Sequence, residues 1–219
     1  MRTVAIVAAM VVCVPLAGAQ GIASDLLGGK LINPERGQWA WYDLQPAEGF
    51  VKYVVRQAVI GEEKVGRKTG YWVEIEVVPS VGYKTIYKML LTGPASDPGN
   101  IHRIIVKQGR DPAFEAPLDD AKADEDKPKQ KRKSKGMETL DVPQGKIKAE
   151  RLDITEGDRT ITLWVNEDIK PSGIVQMRTE DGQMTLRSFG KGGEYGVSAI
   201  TEKPLKEPPA REKPEVRVE

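Results

Sequence analysis

The chain has 219 residues, and its 33 Lys and Arg residues nearly balance its 32 Asp and Glu residues. Proteins that bind nucleic acid usually carry a clear basic excess, so this balance argues against nucleic acid as a partner. The length suits a single domain with a modest hydrophobic core.

The first 19 residues have the three parts of a secretory signal peptide. Arg2 supplies a positive charge, residues 4–16 are apolar, and Ala17-Gly18-Ala19 supplies the small residues of a cleavage site. The apolar run is shorter than the roughly 20 residues that a membrane-spanning helix needs. We therefore expect a mature chain that starts at Gln20, is periplasmic or secreted, and does not span the membrane. A buried N-terminal helix is the alternative interpretation of the same run.

The only cysteine, Cys13, lies inside this leader. The mature chain is therefore expected to form no disulfide, no thiolate nucleophile and no Cys-ligated metal site. Gln20 rather than a cysteine follows the small residues, so we expect no lipid anchor.

Helix signals are confined to residues 20–36, which we interpret as a short N-terminal helix or a lead-in. Ile22, Leu26 and Leu27 have helical spacing, and Ser24 or Asp25 could cap the helix.

Residues 37–200 read as one β domain. Apolar and polar residues alternate over 71–77 and 160–165, which is the pattern of a half-buried strand. Residues 50–60, 83–91 and 101–107 are rich in β-branched and aromatic side chains.

Turn residues separate these runs, and Asp181-Gly182 is a strong signal for a type I′ hairpin. No helix-length spacer lies between the strands, so neighbours must be antiparallel. The sequence predicts a mainly all-β fold: a large curved antiparallel sheet or half-barrel of about nine or ten strands with one short N-terminal helix.

Two charged segments interrupt or follow this domain. Residues 119–135 change from acidic to basic with almost no apolar side chain, which favours a disordered, solvated loop. A basic patch for anionic lipid or another polyanion is the alternative. Residues 201–219 are rich in Pro and charge, which favours a disordered or extended tail that serves as a spacer or a docking strand.

A family resemblance becomes visible in the second half of the domain. The motifs are Leu140-x-Val142-Pro143-x-Gly145-x-Ile147, Leu163-Trp164-Val165-Asn166, Pro171-x-Gly173-Ile174-Val175 and Leu186-x-x-Phe189-Gly190. Their order resembles exported bacterial proteins of unknown function that are built as a curved half-barrel. That architecture is similar to the periplasmic lipoprotein carriers and outer-membrane lipoprotein receptors. In those carriers a bent antiparallel sheet wraps an apolar cavity that holds acyl chains, so the resemblance implies a concave ligand-binding face.

The sequence contains few residues that could form a catalytic site. His102 is the only histidine and is expected near the surface of a strand, and no Gly-x-Ser-x-Gly motif is present. Glu74 and Glu76 share a strand face about 7 Å apart, a separation compatible with inverting glycoside hydrolysis. We favour a solvent-facing pair with Lys84 and Lys88 as cross-strand partners. We therefore predict that the protein is not an enzyme and has no catalytic residue, cofactor or metal site.

The leading hypothesis is an exported, non-enzymatic β-sheet protein that binds an apolar or lipid-like ligand on its concave face. Aromatic and Met side chains suit an adaptable apolar pocket, although each of them suits an ordinary core as well. The predicted lining residues are Trp72, Tyr83, Tyr87, Met89, Trp164, Met177 and Met184. The alternative is a structural or interaction module of the cell envelope that contacts a protein partner through its charged loop and Pro-rich tail.

Overall fold

The computed structural model describes Leu26 and residues 30–118 and 131–206. The predicted leader, most of the predicted helix, residues 119–130 and the tail from 207 onward lie outside the described residues. Leu26 is helical and fully buried.

Eleven strands form one sheet, and they fall into two antiparallel meanders. The first meander contains β1 (Gln38–Pro46), β2 (Tyr53–Val65), β3 (Lys68–Pro79), β4 (Thr85–Leu91), β5 (Ile101–Gln108) and β6 (Phe114–Ala116). The second contains β7 (Lys131–Val142), β8 (Gly145–Glu156), β9 (Arg159–Val165), β10 (Ile174–Thr179) and β11 (Gly182–Lys191). Short 3₁₀ turns occupy Pro98–Asn100 and Glu194–Gly196.

The two meanders join side by side because β1 pairs with β11. The strand order is β6-β5-β4-β3-β2-β1-β11-β10-β9-β8-β7, so β6 and β7 are the two edges. Strand β7 also contacts β11, although three strands lie between them in the sheet. The sheet is therefore curved but not closed. The predicted fold class is confirmed, with eleven strands in place of nine or ten.

The main core lies on one side of the sheet, which we call the inner face. Tyr42 and Val55 on the first meander belong to one apolar cluster with Met177 and Met184 on the second, and all four are buried. Because every strand contributes a side chain at every second position, the inner face is continuous across the β1–β11 junction.

A second apolar cluster covers the inner face of strands β3 to β6, and we call it the β3–β6 apolar face. Its buried members are Val73, Met89, Leu91, Ile104 and Val106. Its partly buried members are Leu31, Tyr71, Tyr87, Ala95, Ile101, Phe114 and Ala116. The outer ring of this cluster thus remains partly accessible to solvent.

The opposite, outer face of the first meander is covered by the chain's own C-terminal segment, residues 194–205. Tyr195 packs edge-on against Trp39 and Trp41, at ring-centroid distances of 5.1 and 5.6 Å. Ile200 then packs with Ile86, Ile105 and Ala113. The segment therefore crosses the sheet from β1 toward β6.

The end of this segment closes one edge of the sheet. Leu205 forms a parallel bridge with Phe114 of β6, in which the Glu115 amide donates to the Leu205 carbonyl at 2.8 Å. Glu202 forms an ion pair with Lys107. Residues 201–206 of the predicted disordered tail are thus ordered against the sheet, because Leu205 and Glu202 have partners on β5 and β6.

The boundary of the predicted charged loop also differs from the structure. Residues 131–135 form the start of β7 and pair with β8, with Lys131 opposite Thr155 and Lys133 opposite Asp153. Backbone pairing with β8 extends the strand into sequence whose composition alone favours a loop.

The predicted hairpin between β10 and β11 is present, with its turn one residue earlier than expected. Thr179 pairs with Gly182, so Glu180 and Asp181 are the two turn residues. Gly182 instead lies where a Cβ atom would overlap the carbonyl oxygen of Gln45 on β1. The glycine is therefore required by close packing of the turn against β1.

Candidate functional site

Three of the seven predicted lining residues belong to the main core. Met177, Met184 and Trp164 are at most 5 % exposed and pack in the same cluster. Met177 and Met184 stand opposite each other on β10 and β11, whereas Trp164 stands opposite Gln176 in the neighbouring row, so its side chain points to the other face of the sheet. The two methionines therefore act as core residues of the inner face. A ligand would have to displace them to reach this part of the inner face.

Trp164 also has a polar environment at its edge. Its indole Nε1 donates to Glu138 Oε2 at 2.6 Å, and the guanidinium groups of Arg151 and Arg178 lie 5.5 and 5.6 Å from the ring centroid. These contacts hold the indole in place and satisfy its donor, which supports the packing role over ligand stacking.

Tyr87 and Met89 lie together in a different place, on the β3–β6 apolar face. Met89 is buried, and Tyr87 is partly exposed. Burial raises the pKa of the Tyr87 phenol above its ordinary value. The structure thus brings two of the predicted residues to an apolar surface that is still partly open.

Trp72 and Tyr83 do not share that surface. Trp72 packs with the outer-face cluster, its Nε1 donates to Glu63 at 2.9 Å, and Lys88 lies 5.1 Å from its ring centroid. Tyr83 is 76 % exposed and precedes β4. The seven residues are therefore distributed over the main core, the β3–β6 apolar face, the outer face and a surface turn.

Gln57 is a polar residue on the inner face that the sequence analysis missed. Its side chain is 2 % exposed, and its Oε1 has no hydrogen-bond donor among the described residues. Gln57 stands opposite Ile75, and Ile75 stands opposite Tyr87, so the amide lies in the same cross-strand row as Tyr87. A buried acceptor without a donor is uncommon and calls for a physical explanation.

The phenol groups of this face add to its polar rim. Neither Tyr71 nor Tyr87 forms a side-chain hydrogen bond within the described part of the chain. Two free hydroxyl groups and one orphaned amide oxygen therefore accompany a largely hydrocarbon surface. Such a surface can bind an apolar chain and also hydrogen-bond a polar group attached to it.

The structure corrects the interpretation of Glu74 and Glu76 as solvent-facing. Glu74 is fully buried and Glu76 is 7 % exposed. Arg56 forms ion pairs with both carboxylates, at 3.1 Å from its Nε to Glu76 Oε2. The predicted partner Lys84 does bind Glu76, at 2.9 Å.

The C-terminal segment completes this buried cluster. Ser198 Oγ and the Ala199 amide donate to Glu74 at 2.6 and 2.9 Å, and Arg56 donates to the carbonyl oxygens of Tyr195 and Val197 at 2.6 and 3.1 Å. Both carboxylates are therefore hydrogen-bonded structural groups beneath the C-terminal segment.

His102 borders an open depression of about 500 Å³ at the β5–β6 edge. Its Nε2 is 2.8 Å from Thr92 Oγ1. Arg103 and Glu115, also at this depression, form a two-point ion pair at 2.7 and 3.0 Å. None of the seven predicted lining residues borders it.

Among the described residues, no cluster of three or more His, Cys, Asp and Glu side chains could hold a metal ion. The part of the chain that the structure describes also contains no helix that is long and apolar enough to cross a membrane.

The sequence matches no protein-family model and no curated protein. Two solved structures are similar, each at a TM-score of 0.37 over 74 % of this chain. One is described as a candidate lipoprotein from Parabacteroides distasonis, with 10 % identity and 99 % of that chain covered. The other is described as a candidate exported protein with YmcC-like fold from Bacteroides fragilis, with 11 % identity and 100 % covered.

Proposed function

We propose that this exported protein binds an amphiphilic molecule on the β3–β6 apolar face and performs no catalysis on it. The observation that carries the proposal is the buried Gln57 amide, whose Oε1 has no donor among the described residues. It lies in one cross-strand row with Tyr87, at the inner end of an apolar surface. A ligand group that donates a hydrogen bond to Gln57 would remove the cost of leaving this acceptor unpaired.

The location of the site follows from the difference between the two inner-face clusters. The main core is filled, since Met177 and Met184 are at most 1 % exposed. The β3–β6 apolar face is ringed by partly exposed side chains such as Tyr71 and Phe114. A hydrocarbon chain would gain burial on the second surface without displacing a core residue.

The spacing between the strands determines where the polar group of a bound ligand would lie. Neighbouring strands are about 4.8 Å apart, so Gln57 on β2 and Tyr87 on β4 are separated by roughly 10 Å. An apolar chain that lies on β4 to β6 would therefore place its head group, and not its middle, at Gln57. This geometry favours a single-chain amphiphile with a hydrogen-bond donor at one end.

The first test is native mass spectrometry of residues 20–219 purified from a periplasm without detergent, with lipid analysis of an organic extract. We expect a stoichiometric adduct that is lost on extraction. A fluorescent single-chain fatty alcohol, whose hydroxyl group can donate a hydrogen bond to Gln57, then serves as the titration probe. The absence of both an adduct and probe binding would contradict the proposal.

Two variants make this test specific. Gln57→Leu should weaken probe binding by about tenfold, because it removes one buried hydrogen bond. Its unfolding free energy should be unchanged or higher, because the orphaned acceptor is gone. Tyr71→Asp should abolish binding by placing a charge on the apolar face, whereas Tyr83→Asp, on the exposed turn, should leave binding unchanged.

An interaction module of the cell envelope is the second candidate function. It is favoured by a different feature, the exposed basic edge of the sheet at β7.

A further inference from the structure

The two edges of the sheet differ in their backbone pairing. At β6 the edge is closed, because Leu205 pairs with Phe114 and exchanges backbone hydrogen bonds with Ala113 and Glu115 at 2.7 and 2.8 Å. At β7 the strand pairs only with β8 among the described residues. The outer edge of β7 thus has no ladder partner among the described residues, and its exposed part, residues 131–137, presents backbone donors and acceptors.

The open edge is strongly basic at its beginning. Lys131, Arg132, Lys133 and Lys135 are all exposed. Lys135 lies 3.4 Å from Asp153, whereas the other three form no ion pair within the described residues. Three successive cations without an ion-pair partner among the described residues therefore lie at the start of this edge strand.

This charge decides which strand can pair with the edge. Lys residues on an edge strand discourage pairing with a second copy of the same strand, because like charges would face each other. They favour an acidic strand for the same electrostatic reason. Met137, which is 56 % exposed two residues after Lys135, offers an apolar contact at the end of the basic stretch.

We propose that β7 is a docking edge that binds an extended acidic peptide segment of a partner protein by strand addition over residues 131–137. The partner strand would extend the sheet to a twelfth strand, with main-chain hydrogen bonds to β7 and carboxylates beside Lys131, Arg132 and Lys133. The inference does not rest on the proposed ligand, since β7 lies at the opposite end of the sheet from β3 to β6.

The test compares three synthetic peptides on residues 20–219. The first alternates Glu with Val or Thr, the second has the same charge with Pro at alternate positions, and the third replaces Glu with Lys. Proline lacks the amide donor and cannot enter a ladder. We expect binding of the first peptide only, measured by calorimetry, and slower amide hydrogen exchange in β7.

Two double charge-reversal variants test whether the peptide binds at β7. Lys131→Glu with Lys133→Glu should weaken binding of the acidic peptide by at least about tenfold. Lys146→Glu with Lys148→Glu, which makes the same change in net charge on β8, should alter binding by less than about twofold.

Each other outcome would overturn the proposal. Equal binding of the Pro-containing peptide, or of vesicles of anionic lipid, would show that the surface recognises negative charge without strand addition. If the free protein self-associates, and if the Lys131→Glu and Lys133→Glu variant changes that self-association, the edge would be assigned to a second copy of this chain. The absence of any binding would leave the basic residues as protection of an exposed edge.

Discussion

At the scale of single residues, Arg56 is a buried cation whose charge is balanced by several partners. It is 2 % exposed, and it binds Glu74, Glu76 and two carbonyl oxygens of the C-terminal segment. Removing one partner of a buried ion-pair network leaves an uncompensated charge, which costs about 3–5 kcal/mol. We expect Arg56→Met to lower the free energy of unfolding by this amount, measured by urea denaturation.

The control for Arg56 is an ion pair with similar chemistry and more exposure. Arg103 binds Glu115 in two-point geometry, with side chains 39 % and 36 % exposed. Such a pair contributes about 1 kcal/mol or less, so Arg103→Met should have a small effect. Equal losses in the two variants would show that burial of the Arg56 cluster does not determine its contribution.

The same cluster shows why a local sequence pattern misplaced two carboxylates. The alternation over 71–77 correctly predicts that Glu74 and Glu76 share one face of a strand. Their burial depends on Ser198, which is 124 residues from Glu74 in the sequence, and on Arg56, which is 18 residues away. Neither contact is implied by strand periodicity, because both depend on the tertiary path of the chain.

At the scale of elements, the C-terminal segment packs across the outer face of the first meander. Ile200 is 7 % exposed and packs with Ile86, Ile105 and Ala113. Replacing a buried isoleucine by alanine costs about 2–5 kcal/mol. We expect Ile200→Ala to lower the free energy of unfolding by at least about 2 kcal/mol and to speed proteolysis of the segment.

Val197 provides a matched control within the same segment. Its side chain is 55 % exposed, and only its carbonyl oxygen binds Arg56. Val197→Ala keeps that carbonyl, so we expect a change within about 0.5 kcal/mol. If Ile200→Ala had an equally small effect, the segment would contribute little to the stability of the sheet.

Strand prediction is most reliable where apolar and polar residues alternate regularly. Residues 71–77 and 160–165 alternate regularly and form parts of β3 and β9. Strand β1 has no clear alternation in its sequence, because Trp39 and Trp41 on its outer face are as apolar as the buried residues of its inner face. The basic composition of residues 131–135 favours a loop, and the structure shows them as the exposed start of the edge strand β7.

The residues of the candidate site were likewise predictable only in part from the sequence. Tyr87 and Met89 were predicted from their chemical type and do lie on the β3–β6 apolar face. Gln57 was missed because a lone amide in a strand has no distinctive sequence signal. Only the register of β2, β3 and β4 places it in one row with Tyr87.

At the scale of the whole molecule, the β1–β11 pairing makes two meanders into one sheet. The pairing extends from Gln38 opposite Lys191 to Pro46 opposite Gly182. The main core then mixes the two halves, since Val55 packs in the same cluster as Met184. Neither meander can bury its inner face fully without the other.

This shared core predicts cooperative unfolding of the two meanders. Trp72 reports on the first meander and Trp164 on the second, and 5-fluorotryptophan labelling distinguishes them by ¹⁹F NMR. We expect both signals to change at the same urea concentration, as two-state unfolding requires. Met184→Ala should shift both midpoints downward together, because it removes a core side chain that costs about 2–5 kcal/mol to truncate. A shift confined to Trp164 would instead show that the first meander, held by the β3–β6 apolar face and the C-terminal segment, is stable by itself.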